Sequence, residues 1–360
     1  MIKQLLKEAL KLKHILTEID WGKEFHDVKK VCPDIKEVAN YLNRVRANAN
    51  KGYKDREKFS AGMPFIHSKS SFFKSSDGEV DINFFIKQIT QQPKNIVNTN
   101  EKILKTGGPN DFVYKTGIPA FRGIAYDIQN QKFIYVNTCP GAGACRAICY
   151  ALKGNYILYP ASYDSMTRRL NYLLNYPEKY EQQMYDELKD KCILHKAFSG
   201  YKTRVLLRWN DSGDFFAKRY VQIADSVIKR LQKDGYNIES YLYTKVADVA
   251  KTADFGVTNF SAGGNKQQSN MVDPKKQKMS LIVPTELFKG LDLMKISDEA
   301  TLKDRVAKHF NLNKATILNY DELMRTPESN VKKWNVIITP NDGDDAAMRK
   351  DVRNVLLTQH

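Results

Sequence analysis

From about residue 117 onward, short apolar runs alternate with helical stretches, and each run is followed by a polar or glycine-rich segment. Apolar runs of four to eight residues between turn signals read as buried strands, and helices between them imply crossovers and a mainly parallel sheet. Eight such runs stand out, at 133–136, 205–209, 240–243, 256–260, 280–283, 315–318, 336–339 and 355–358. This pattern predicts an α/β fold, a full or partial (β/α) barrel with mainly parallel strands.

In parallel α/β folds, sites form at the carboxyl ends of strands. The segments there are chemically alike. They include Thr138-Cys139, Asn210 to Asp214, Thr244-Lys245, Ser261 to Asn265, Thr285-Glu286, Asn341 to Asp345 and the terminal Gln359-His360.

The chain divides at about residue 110. Residues 1–110 read as mostly helical with a linker, and 111–360 as the barrel-like domain. Leu5, Leu6, Leu10, Leu12 and Ile15 recur at helical spacing, as do Ile35, Val38, Leu42 and Val45. A third helix is expected near 83–90. Asp77-Gly78 reads as a turn, and 93–116, rich in Asn, Lys and Gly, as a linker. No stretch approaches the roughly 20 apolar residues of a membrane span. The opening residues mix Lys and Glu with Leu, unlike a signal peptide. A cytoplasmic protein without a membrane partner is expected.

Three of the five cysteines, Cys139, Cys145 and Cys149, fall in one loop with the spacing C-x5-C-x3-C. Thiolates are the soft ligands that iron–sulfur clusters and zinc both select. Three from one loop suit a [4Fe–4S] cube with one iron left open. Gly141 and Gly143 let the backbone wrap closely around it. Zinc is the competing metal, although structural zinc favours four ligands in C-x2-C pairs. Cys192 or His195 is a candidate fourth ligand. Cys32 and Cys192 otherwise read as ordinary packing residues.

The net charge of +16 suits a polyanionic partner, nucleic acid or a nucleotide substrate, though Lys-rich composition alone can produce it. Arg168-Arg169, Lys275-Lys276, Lys332-Lys333 and the aromatic-rich stretch 156–180 are the candidate contacts. Asp214 is expected either to bind a ligand or to cap the helix that follows. Asp211 and Ser212-Gly213 share its segment. Thr244, Lys245, Ser261, Gly263 and Gly264 are candidates for contact with a sugar or phosphate. Asn341 to Asp345 reads as a carboxylate site or a solvated turn, lacking the spacing of a calcium loop.

The run C-P-G-A-G-x-C-x3-C-Y-A, followed by Arg169, Asn171 and D-S-G-D-F-F, resembles the phage "gene 88 protein" family over roughly 115–360. Its loop and barrel pattern in turn resemble the radical S-adenosylmethionine superfamily, although the usual loop there is C-x3-C-x2-C. The resemblance implies a [4Fe–4S] cluster on Cys139, Cys145 and Cys149 with S-adenosylmethionine on the open iron. It also implies that Ser212-Gly213-Asp214 receives the methionine ammonium, with Asp211 and Asp214 assisting. Two alternatives stand beside this enzyme reading. One is a nucleic-acid-binding phage replication protein, against which the absence of any H-x-H pair counts. The other is a zinc-stabilised binding module without catalysis. The substrate and the oligomeric state are not legible.

Overall fold

The computed structural model describes residues 24–47, 63–74, 79–152, 155–199, 203–292, 296–339 and 341–358. The helix expected near 5–15, the Asp77-Gly78 turn and His360 lie outside them.

Two sheets organise the chain. The larger contains eight strands: β2 (Asp111–Lys115), β5 (Arg204–Trp209), β6 (Ile238–Thr244), β7 (Val257–Ser261), β8 (Met279–Val283), β9 (Ile317–Leu318), β10 (Trp334–Ile338) and β11 (Val352–Thr358). Every pairing in it is parallel. The smaller is antiparallel, with β1 (Lys30–Val31), β4 (Lys132–Asn137) and β3 (Arg122–Asp127) in that order.

The parallel sheet runs β2-β5-β6-β7-β8-β11-β10-β9. Its first five strands follow the chain, as in a barrel. The last three run in reverse, because the connection that carries the helix Ile296–Phe310 skips two positions before β9 forms. Among the described residues β2 and β9 are therefore the two edges. The α/β class and the parallel sheet are as expected, whereas the strand order is not that of a sequential closed barrel.

Two readings need correction. The run 133–136 is β4, paired antiparallel to β3 and covered by the helices Ile35–Ala47 and Ile82–Ile89 through Val38, Phe85, Phe133 and Tyr135. The first parallel strand is instead β2, inside the stretch read as a linker. Its charged ends disguise it. Asp111 is held by Arg204 of β5 at 2.8 Å, and only Val113 is buried.

Alternation along the strands separates two faces. Val205, Leu207 and Trp209 of β5 join the largest core with the helices Pro177–Ser199 and Lys218–Lys233. Leu206 points the other way, with Val113, Tyr241 and Ala347. This second face is crossed by the short helix Asp345–Met348. Lys278, nearly fully buried, fastens that helix by donating to the carbonyls of Ala346, Ala347 and Arg349 at 2.6, 2.9 and 2.7 Å.

Candidate functional site

The cysteine loop leaves β4 and lies against the carboxyl-end loops of β5, β6 and β7. Asp214 N–H donates to Thr138 O at 2.9 Å, Asn265 N–H to Gly141 O at 2.9 Å, and Cys145 N–H to Gly263 O at 3.1 Å. The glycines serve this docking, a role different from the one expected of them. A Cβ on Gly141 would meet Lys245 O at 2.1 Å, and one on Gly143 would meet Gly264 O at 2.4 Å.

Asp214 is the latch between these loops. Its carboxylate, only 5% exposed, accepts from Thr244 Oγ1 at 2.7 Å, Lys245 N at 2.8 Å and Phe215 N at 2.7 Å. Burial pushes its pKa up, and these donors oppose the shift. It does not cap the next helix, which begins at Lys218 with no side-chain cap. Gly213 is required at its place, with φ +78° and a would-be Cβ 2.4 Å from Ile118 Cγ1. Ser212 is buried, and its hydroxyl has no partner among the described residues. Ser261 is buried at the end of β7.

The thiols sit in a charged neighbourhood. Cys139 Sγ accepts from Phe121 N–H at 3.2 Å. Burial pushes the Cys139 thiol up, Asp214 and Cys149 add to this, and Phe121 N–H and Lys245 oppose it. Burial also raises Cys149, with Ala151 and Leu152 N–H and Lys245 opposing and Cys145 reinforcing. Among the described residues, no three His, Cys, Asp or Glu side chains converge as ligands of one metal ion. Cys192 is buried in the main core, and His195 stacks on Phe112 at 3.6 Å. Cys32 is exposed.

A second cluster was missed in the sequence. Asp211, 5% exposed, binds Lys115 Nζ and the Tyr156 hydroxyl through its carboxylate, and Tyr150 through its carbonyl. Next to it, Arg208 pairs with Asp344, which also accepts from Tyr241 at 3.2 Å. Tyr243 stacks under the Arg208 guanidinium at 5.2 Å. Arg208 is 8% exposed, and its Nε has no partner among the described residues. The available signal was a charge inside the apolar strand Val205–Trp209 followed by alternating tyrosines in β6. Within the segment 341–345, Asn341 is exposed and Asp342 half-buried, but the last two carboxylates are not solvated. Asp344 and Asp345 are buried and bound to Arg208 and Tyr320.

A cavity of about 280 Å³ opens beside Asp211, with Lys115, Tyr156, Ser162, Arg169 and Asn98 in its wall. Several residues read as nucleic-acid contacts are turned to structural use. Arg168 bonds Gln88, and Arg169 is buried. Tyr163, Tyr172 and Tyr180 are core residues. Asn171, four residues before Asn175 on the same helix, satisfies the backbone of β3 at Tyr126 N and Ile124 O. Lys275, Lys276, Lys332 and Lys333 remain exposed. No helix among the described residues is long and apolar enough to cross a membrane.

A family model described as Gene product 88 matches residues 91–344, more than half of the chain. No curated protein and no solved structure matches.

Proposed function

The chain belongs to the Gene product 88 family, and we propose that it is an iron–sulfur protein in which Cys139, Cys145 and Cys149 hold a [4Fe–4S] cluster beside a polar substrate cavity. The observation that supports this most is the setting of the thiols. They share one short loop docked onto three carboxyl-end loops, with the Phe121 N–H at the Cys139 sulfur and Lys245 against Gly141 of the loop.

The donor set fits the group in its chemistry. Soft thiolates bind iron–sulfur clusters, and N–H donors and a cation temper the added negative charge. Structural zinc usually takes four protein ligands in C-x2-C pairs, a spacing that this loop lacks. Bound there, the cluster would supply one-electron chemistry, and its iron without a loop thiolate would be open to a small molecule such as S-adenosylmethionine.

The chain's own residues do the rest. Asp214 holds Thr244 and Lys245 in register with the loop. Gly264 lets the loop backbone approach, its would-be Cβ lying 3.0 Å from Gly141 O, and Gly263 supplies the turn at φ +80°. Lys115, Tyr150 and Tyr156 orient Asp211 at the cavity wall, where it can accept a proton or anchor a donor of the substrate.

Anaerobic purification followed by iron, sulfide and zinc analysis tests this. The expected result is about four irons and four sulfides per chain, lost when the three cysteines are replaced by serine. Zinc without sulfide would favour a zinc-stabilised module. Metal retained in the triple variant would remove the loop from the assignment.

A further inference from the structure

Arg169 carries a buried charge with no carboxylate bonded to it among the described residues. It is 4% exposed, and its guanidinium donates to Asn95 O at 3.1 Å, Gly117 O at 3.1 Å and Ser165 Oγ at 2.9 Å. All three acceptors are neutral. A guanidinium has five N–H groups, so five less three leaves two without a partner among the described residues. Asp211 and Glu187 favour its charge from a distance. Asp211 is itself committed to Lys115 and Tyr156, and Glu187 to Ile96 and Val97 N–H. A buried cation without a counter-ion is costly, and Arg169 lines the cavity beside Asp211.

The rest of the wall has the same polarity. Lys115 and Arg169 outnumber Asp211 in formal charge. Ser162 and Ala161 belong to the first turn of the helix Pro160–Asn175, whose N-cap Tyr159 provides no side-chain acceptor. Pro160 has no N–H and Ser162 N–H already donates to Tyr159 O at 3.0 Å, so what the helix start brings to this space is the positive end of its dipole. A guanidinium, an ammonium and a helix dipole in one wall suit an oxyanion such as a phosphate.

We propose that this cavity binds the phosphate group of a small phosphorylated molecule, with Arg169 as its counter-ion and Lys115, already paired with Asp211, at its side. The proposal rests on reading the cavity as the substrate pocket and names the substrate class.

Titration calorimetry on the full chain at low ionic strength tests it, using inorganic phosphate, ribose 5-phosphate, adenosine 5′-monophosphate, adenosine and acetate. The expected result is saturable binding of phosphate and of both esters. The tighter ester identifies a sugar phosphate or a nucleotide as the source. Ser162→Asp puts a carboxylate at the helix start, which favours the helix and repels the ligand. It should weaken phosphate binding at least about tenfold without lowering the urea midpoint, and Ser162→Asn, of the same shape but uncharged, should weaken it far less. Adenosine binding as tightly as its monophosphate, acetate matching phosphate, or Ser162→Asp binding normally would each overturn the proposal. Iron and sulfide are measured on the same samples, so loss of phosphate binding with intact metal content, or the reverse, separates this proposal from the cluster reading.

Discussion

Replacing Asp214 with Asn removes a single negative charge from the junction of four loops and leaves the volume almost unchanged. In the wild type one carboxylate oxygen accepts from Thr244 Oγ1 and Phe215 N, and the other from Lys245 N. The amide oxygen of Asn can keep the first pair. Its NH2 then faces Lys245 N–H, so two buried donors oppose one another without acceptors. Each unsatisfied buried donor costs about 1–3 kcal/mol. Part of this is offset, because burial already disfavours the charge that is removed. The net expectation is a loss of about 2–4 kcal/mol. Equilibrium urea unfolding, followed by tryptophan fluorescence, measures it; the buried Trp209 stands at the end of the strand that leads into this loop. Metal content should fall too, because the same change loosens the β6 loop from the β5 loop, on which the cysteine loop rests through Asp214 N–H and Thr138 O. A variant within about 0.5 kcal/mol of the wild type would refute the latch.

Gly143→Ala places a Cβ 2.4 Å from Gly264 O; we expect a loss of about 1–3 kcal/mol and reduced metal content with an unchanged circular dichroism spectrum. Lys278→Met takes the Lys278 donor from Ala346 O and Arg349 O, while Ala347 O keeps Asn259 Nδ2 at 3.0 Å, and should cost about 2–4 kcal/mol, read by chemical denaturation; an unchanged midpoint would show that helix Asp345–Met348 does not depend on it. For Asp111, burial raises the carboxyl pKa, but the Arg204 guanidinium and Gly108 N–H more than offset this and hold it below the usual carboxylate value. A depressed folded value means that the stabilisation is present above the unfolded value and lost as pH falls through the folded one. Thermal midpoints measured from pH 5 down to about 2 should therefore fall more steeply in the wild type than in Asp111→Asn, and parallel curves would dispose of the linkage.

The strands from β5 onward were legible because their apolar runs are largely buried on both faces, so hydrophobicity alone marks them. β2 was not. An edge strand has one free side, and its ends can carry Asp111 and Lys115, whose partners Arg204 and Asp211 are more than 90 residues away. β4 was legible as a strand but was assigned to the wrong sheet. An apolar run such as Phe133 to Val136 cannot by itself tell parallel from antiparallel pairing, and Phe133 and Tyr135 find their partners in helices of the first hundred residues. The polar cluster escaped for a similar reason. Arg208 and Asp344 are remote in the chain, and a lone charge in a strand does not announce which carboxylate will meet it.

The cysteine loop is where the two kinds of information divide. Sequence by itself determined that three thiols share one loop, because a spacing of C-x5-C-x3-C keeps them together whatever the fold. It also determined that polar segments follow the apolar strands. Only the tertiary structure decided what the loop rests on: Asp214, Lys245 and Gly263–Gly264 reach it from strands far apart in the chain. The reason is physical. Spacing constrains neighbours along the backbone, while the burial of Arg169, the latch at Asp214 and the order of the last three strands depend on which distant surfaces exclude water from one another.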